Sequence, residues 1–295
     1  MPTVTPLASI IGSGFLVATP LLAVIVGTAA PIAMLAIVVV AYFIGGVIRF
    51  NIVHLEPALE DRSQTPHSVF VLEKISNFTL SVAYIVSVAF YLRLLSSFVM
   101  YNLDAGEQSD FYANLITTAI LAFIGVIGFL KGLRSLETLE SLSVTLKLVI
   151  IAGLLVGLTM FDVQTLGEAT EHGIPSLDVS WFEKLRMLAG ILLVVQGSET
   201  SRYLGAAYDS QVRVKTMRRA QIISGIIYVA FVFLALPLLP HLENTTPNET
   251  AIVELAKFVS PWLPFLLIIA AVMGQFSAAV ADTVGGGGLF RGGNQ

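Results

Sequence analysis

Gln196, Gly197, Ser198 and Glu199 stand together inside an otherwise apolar run. An ionisable side chain near mid-bilayer costs about 2.5 kcal/mol or more, so Glu199 marks a functional position by default. Near the start of the chain, Ile10-Ile11-Gly12-Ser13-Gly14-Phe15 places two glycines and a serine early in another apolar run. Backbone polar groups in lipid must be paired within their own segment. Irregular backbone is tolerated only inside protein or beside a cavity. Both stretches therefore read as helix breaks. Half-helix N-termini at such breaks offer free N–H groups and a positive dipole end to an anionic group. Paired interruptions at corresponding positions of two halves point to a solute site between them. The residues expected to line it are Gly12, Ser13, Gly14 and Phe15 with Gln196, Gly197, Ser198 and Glu199. Two plainer readings stand beside this one. Gly12 and Gly14 could serve only to let helices approach closely. Glu199 could lie at the cytoplasmic end of its span, paired with Arg202.

The elements that would carry these breaks follow from composition. Of 295 residues, 56% are hydrophobic and 12% charged, against about 25% charged in soluble domains. The apolar residues fall in runs of about 20, the length that crosses a hydrocarbon core of about 30 Å. Spans are expected at about 7–28, 31–53, 69–101, 111–130, 138–161, 182–205, 217–239 and 260–284. The links then alternate in charge. Arg49, Arg62 and Lys74 fall in the link 49–74; Lys131, Arg134 and Lys147 fall in 131–147; and Arg202, Arg213, Lys215, Arg218 and Arg219 fall in 202–219. The links 102–110 and 162–180 carry acids without a single Lys or Arg, and 241–257 has Lys257 alone against three glutamates. Basic loops stay cytoplasmic, so all six longer links agree on a cytoplasmic N-terminus. The stretch Glu249–Val259, with Ile252, Val253, Ala256 and Val259 on one helical face, reads as a short helix over the outer side.

Several classes are excluded. The net charge of -4 gives no reason to expect nucleic acid, and the lack of cysteine removes disulfides and thiolate metal sites. His54, His67, His172 and His241 all fall in links or at span ends. With no His-Glu-x-x-His, nothing points to an enzyme. No Gly-Lys dipeptide occurs, so no phosphate-binding ATPase loop is present. The partners expected are a lipid bilayer and a small solute, with no cofactor beyond a coupling ion.

At the two breaks the chain resembles the amino acid–polyamine–organocation (APC) superfamily. Ile11-Gly12-Ser13-Gly14-Phe15 is similar to the family's first-span motif of the IGSGIF type. Gly197-Ser198-Glu199 resembles its sixth-span Gly-Phe-Glu, with Ser198 where the aromatic stands. Thr145-Leu146-Lys147 and the apolar residues after it resemble the start of its fifth span. The resemblance implies an all-α integral membrane protein of the leucine-transporter type. Two inverted five-helix repeats, with spans 1 and 6 discontinuous, would form one transmembrane domain over 1–295. Repeat one would run over about 1–161 and an incomplete repeat two over about 182–289. It also implies a secondary active permease in the cell membrane, coupled to protons or sodium, for amino acids or related small organic solutes. Such a fold has ten core spans, so a chain cut short after about eight is the expectation.

Ala279-Val-Ala-Asp282-Thr283 resembles the span-8 pattern that holds sodium in sodium-coupled relatives of this fold. Residues i, i+3 and i+4 share a helical face, so Ala279, Asp282 and Thr283 would present hard oxygen ligands to sodium. Alternatively, Asp282 would carry a proton, or would simply lie at the cytoplasmic end of its span. By the same resemblance Lys147 would take that cation position, as a lysine does in some proton-coupled relatives, or would be a cytoplasmic anchor. Arg93 is either an outer gate or a side chain snorkelling to headgroups. Two other functions share the fold: a sensor or accessory subunit that binds without moving solute, and a sodium symporter for another small solute.

The absence of cysteine makes the topology directly testable. A membrane-impermeant maleimide is expected to label Asp209→Cys only in inside-out vesicles and Leu103→Cys only in right-side-out ones. Label on the same face for both would refute the alternating topology.

Overall fold

The computed structural model describes residues 3–12, 14–60, 65–101, 103, 108–164, 177–205, 208–239 and 250–292. Among these residues there is helix and no strand. The chain opens with α1 (Val4–Ile10) and α2 (Gly14–Val26), parted at Ile11–Gly12. Gly27, at φ 60°, starts a 3-10 turn that redirects the chain into α3 (Ala30–Phe50). A π-helical turn, Asn51–Leu55, joins α3 to α4 (Glu56–Glu60). Long helices α5 (His67–Met100), α6 (Ser109–Lys131) and α7 (Leu133–Gln164) follow. Next come α8 (Trp181–Val194), a 3-10 segment over Ser198–Leu204, α9 (Ser210–Leu234), α10 (Ala251–Leu255) and α11 (Leu263–Gly292).

Six stretches are long and apolar enough to cross a membrane: Val4–Leu59, His67–Met100, Ser109–Leu130, Ser135–Val163, Ser210–Leu234 and Leu263–Gly287. The first holds 56 residues, far more than the about 20 that one crossing needs, and the turn at Gly27 divides it in two. α8 has 14 residues, about 21 Å at 1.5 Å per residue, too short to cross alone. The 3-10 segment Ser198–Leu204 continues it. Six such stretches stand against the eight spans expected from hydropathy: the first covers two of the expected spans, and α8 falls short of a full crossing.

Burial is that of a bundle in lipid. Ile32, Phe43, Val47, Phe78 and Phe129 are exposed, whereas Glu140, Lys147, Asp282 and Arg49 are buried. α7 turns one face inward, with Leu136, Glu140, Ser143, Val144, Lys147, Ile151, Leu154 and Leu158 all buried at helical spacing. That face packs on α11 and on α1. α11 answers with Ala270, Ala271, Ala278, Ala279 and Ala281, all buried; small residues let helix backbones approach in a membrane. The glycines from Gly285 onward, which read equally as a helix end or a close contact, leave α11 unbroken to Gly292. A Cβ on Gly285 would lie 3.1 Å from the Tyr84 hydroxyl, so that position serves a close contact. The short outer helix expected over Glu249–Val259 appears as α10 with a following 3-10 turn. Ile252, Val253, Leu255 and Ala256 are buried there, and α10 packs on α2 and α11.

α9 begins at Ser210, seven residues before the expected span. Its polar first turns are satisfied by an ion network. Arg213 donates to both carboxylate oxygens of Glu56, at 3.0 and 2.6 Å, and to the carbonyls of Tyr208 and Arg202. Arg202 in turn lies 2.9 Å from Glu73 on α5 and 3.8 Å from Glu56. Breaking a buried ion pair by removing one partner costs about 3–5 kcal/mol. Arg213→Met is therefore expected to destabilise the protein by about 3 kcal/mol, measured by thermal unfolding in detergent; an unchanged midpoint would discount the network.

Candidate functional site

α1 stops at Ile10, and Ile11 leaves the helical region at φ -92°, ψ 76°. A helix that ends inside a membrane leaves carbonyls without intrahelical partners. Three side-chain contacts meet them. The buried Lys147 ammonium donates to the carbonyls of Ala8, at 3.3 Å, and Ile11, and to the Ser277 hydroxyl at 2.7 Å. The Tyr228 hydroxyl lies 3.0 Å from the Ile10 carbonyl. A cation at a helix C-terminus also meets the negative end of the helix dipole. Lys147 is thus no headgroup anchor: it comes from α7 and is fully buried behind the first break.

The second break follows Val194. Gly197 sits at φ 118°, a conformation that favours glycine. Its N–H donates to the Glu199 carboxylate at 3.1 Å, and the Thr200 hydroxyl donates to its carbonyl at 2.9 Å. Glu199 therefore closes its own turn, while Arg202 is engaged by Glu73 and Glu56. Gln196 Nε2, Ser198 Oγ and Ser201 Oγ are buried without a hydrogen-bond partner among the described residues. Buried polar groups are ordinarily paired, so these three leave hydrogen-bonding capacity beside the break.

The two breaks touch. A Cβ on Gly197 would fall on Ser9, with the Ser9 carbonyl carbon at 2.8 Å. A Cβ on Gly14 would lie 3.3 Å from the Val194 carbonyl and 2.7 Å from the Tyr228 hydroxyl. Tyr228 spans the junction, since its hydroxyl also lies 3.1 Å from the Val194 carbonyl. Gly12 faces Gln275, whose Oε1 would be 3.4 Å from an added Cβ. The close-approach reading of Gly12 and Gly14 therefore holds together with the helix break.

The remaining expected residues divide. Ser13 lies outside the described residues. Phe15 is fully buried in an edge-on aromatic cluster with Tyr228, at 6.3 Å, and Phe231, at 4.8 Å; it is core packing for α2 against α9. Asp282 is buried well before the end of α11 and accepts from Ser9, at 2.6 Å, and from Ser87 on α5. The Thr283 hydroxyl donates to the Ala279 carbonyl at 2.7 Å. Asp282 and Lys147 have different partners: Lys147 meets α11 at Ser277, and Asp282 meets α1 at Ser9. Arg93 pairs with the exposed Asp110 at 2.6 Å and donates to Asn114, joining the ends of α5 and α6. Sequence reading missed Tyr228, Ser277, Ser9 and Ser87. A tyrosine or serine scattered in an apolar run carries no periodic signal; only the fold brings these four to the breaks.

Two interrupted helices thus meet inside an all-helical apolar bundle, with a buried lysine capping one of them. A family model described as APC superfamily transporter matches residues 1–294, and the chain belongs to that family. It is also 46% identical over 288 residues to an uncharacterized protein of Aquifex aeolicus (strain VF5), a match covering 97% of this chain and 69% of that relative.

The junction is open to a stability test. Tyr228→Phe removes a donor shared by two carbonyls and is expected to cost about 1–3 kcal/mol. Gly197→Ala forces a left-handed conformation worth about 1–3 kcal/mol and meets the Ser9 backbone, so it should cost more. Thermal unfolding in detergent checks the order; a neutral Gly197→Ala would mean the breaks do not touch.

Proposed function

We propose that the chain works as a secondary active permease for amino acids or related small organic solutes, coupled to protons. In this reading the solute site lies at the junction of the two breaks, lined by Gly12 and Gly14 with Gln196, Gly197, Ser198 and Glu199. The two interrupted helices are counterparts in two inverted repeats, and the N-terminus is cytoplasmic. The observation that carries the reading is the meeting of the breaks, with unpaired polar groups on Gln196, Ser198 and Ser201 beside it.

Lys147 favours the proton over sodium. Its ammonium already supplies a positive charge to the carbonyls of Ala8 and Ile11 and to Ser277. Losing the proton would remove a charge-assisted contact to each, freeing the end of α1 to move. Gain and loss of one proton then biases the two arrangements of α1, which is what coupling requires. Asp282 joins α1, α5 and α11 through Ser9 and Ser87, and is the second group placed to sense that movement.

Proteoliposomes holding the protein, offered radiolabelled amino acids and aliphatic amines under imposed proton or sodium gradients, test this reading. Accumulation is expected with an inward proton gradient and collapse on adding a protonophore. Lys147→Met should abolish the gradient dependence, and Asp282→Asn should reduce accumulation at least tenfold. No gradient-driven uptake of any of these solutes would dismiss the permease reading; sodium-driven uptake indifferent to pH would dismiss the proton.

A further inference from the structure

Glu140 is a second ionisable group sealed inside the same helix face. It lies seven residues before Lys147 on α7, about 10 Å lower along the axis at 1.5 Å per residue. Its side chain has no exposure, and neither carboxyl oxygen meets a donor at full hydrogen-bond geometry. The polar neighbour that α1 turns toward it is the Thr5 hydroxyl. Ser143, also buried, sits between the two on the same face, three residues from Glu140 and four from Lys147. The opposing face of α1 repeats the pattern: Thr5 beside Glu140, and Ala8, three residues on, beside Lys147. The other charged or titratable groups facing Glu140 among the described residues are Glu137, one turn back on α7, and Tyr208 ahead of α9. A carboxyl buried without adequate hydrogen bonds weakens a bundle, and among the described residues no ion pair at contact distance offsets it.

We infer that Glu140 is the group that takes the proton from Lys147 and passes it towards the start of α7. The inference rests on the proton-coupled reading above. In the step, a Lys147 Nζ–H bond breaks, its electron pair stays on nitrogen, and the proton forms an O–H bond on the Glu140 carboxylate, with Ser143 as the intervening hydroxyl. The ammonium becomes an amine and the carboxylate a carboxylic acid, so net charge is conserved in the transfer. The acid then releases its proton past Glu137 to water at the start of α7. Glu140 touches no solute atom; its part is to give the Lys147 proton an exit separate from the solute path.

The test uses the full chain in proteoliposomes holding pyranine, with a mixture of radiolabelled amino acids outside and an inward proton gradient. Glu140→Gln is expected to lower gradient-driven accumulation and the pyranine signal at least tenfold, flatten the dependence on lumenal pH, and leave exchange of labelled for unlabelled amino acid near wild type. Exchange does not require the proton to leave. Glu140→Asp, which keeps the acid, should recover part of the driven uptake. Driven uptake in Glu140→Gln equal to wild type overturns the relay and leaves the permease reading standing. Wild type without any uptake removes the permease reading, and infrared spectroscopy of the purified chain then decides the relay alone. The pH titration of the Glu140 carboxyl band, identified by its loss in Glu140→Gln, should shift in Lys147→Met. A titration unmoved by Lys147→Met overturns the linkage.

Discussion

The interaction on which the rest depends is the capture of the carbonyl end of α1. A helix that stops in a membrane leaves several C=O groups that neither water nor lipid will bond. Here Ala8, Ile10 and Ile11 give theirs to the Lys147 ammonium and the Tyr228 hydroxyl. The lysine comes from α7, the tyrosine from α9, and Ser277 of α11 holds the lysine from behind. Three helices are thereby tied to a seven-residue half-helix that could not be stable alone. The arrangement explains why charge is tolerated so deep: the ammonium replaces missing backbone partners and does not add an unmatched ion.

The second break is shaped by that first one. Tyr228 reaches Val194 as well as Ile10, so the ends of α1 and α8 are held at a single hydroxyl. Glycine is required on both sides, because the chains pass at van der Waals contact at Gly14 and Gly197. Local chemistry then finishes each turn: Glu199 and Thr200 close the second without help from neighbouring helices.

Much of this was legible in the residues. Glycine and polar side chains within apolar runs announced both breaks, and the alternating link charges gave a consistent order of spans. Lys147 was visible as a cation, but its partners were not. The motif-like trio Ala279, Asp282 and Thr283 drew attention to one part of α11, whereas the lysine meets that helix at Ser277. Helical spacing says which residues share a face, never which neighbour that face turns toward. Phe15 was read as lining because it adjoins the glycines, yet it follows Gly14 into the helix and packs on α9. The run of glycines after Val284 stays helical because Tyr84 and Thr200 press against Gly285, a tertiary contact that overrides weak local propensity. Glu140 was invisible as a buried acid, since a glutamate near a basic link looks like an ordinary surface charge.

The ion network at the foot of α9 has a mechanical corollary. Glu56, Glu73, Arg202 and Arg213 sit on α4, α5, the 3-10 segment and α9, and every one of them belongs to a single chain of contacts. The segment holding Arg202 is the same one that begins at the second break. It cannot swing from α5 while Arg202 grips Glu73, and it cannot leave α9 while the Arg202 carbonyl holds Arg213. These contacts work as a latch: displacement at Gly197 either drags three helices along as one rigid lever or waits until the ion pairs of Arg202 with Glu73 and Glu56 and the hydrogen bond from Arg213 to its carbonyl part.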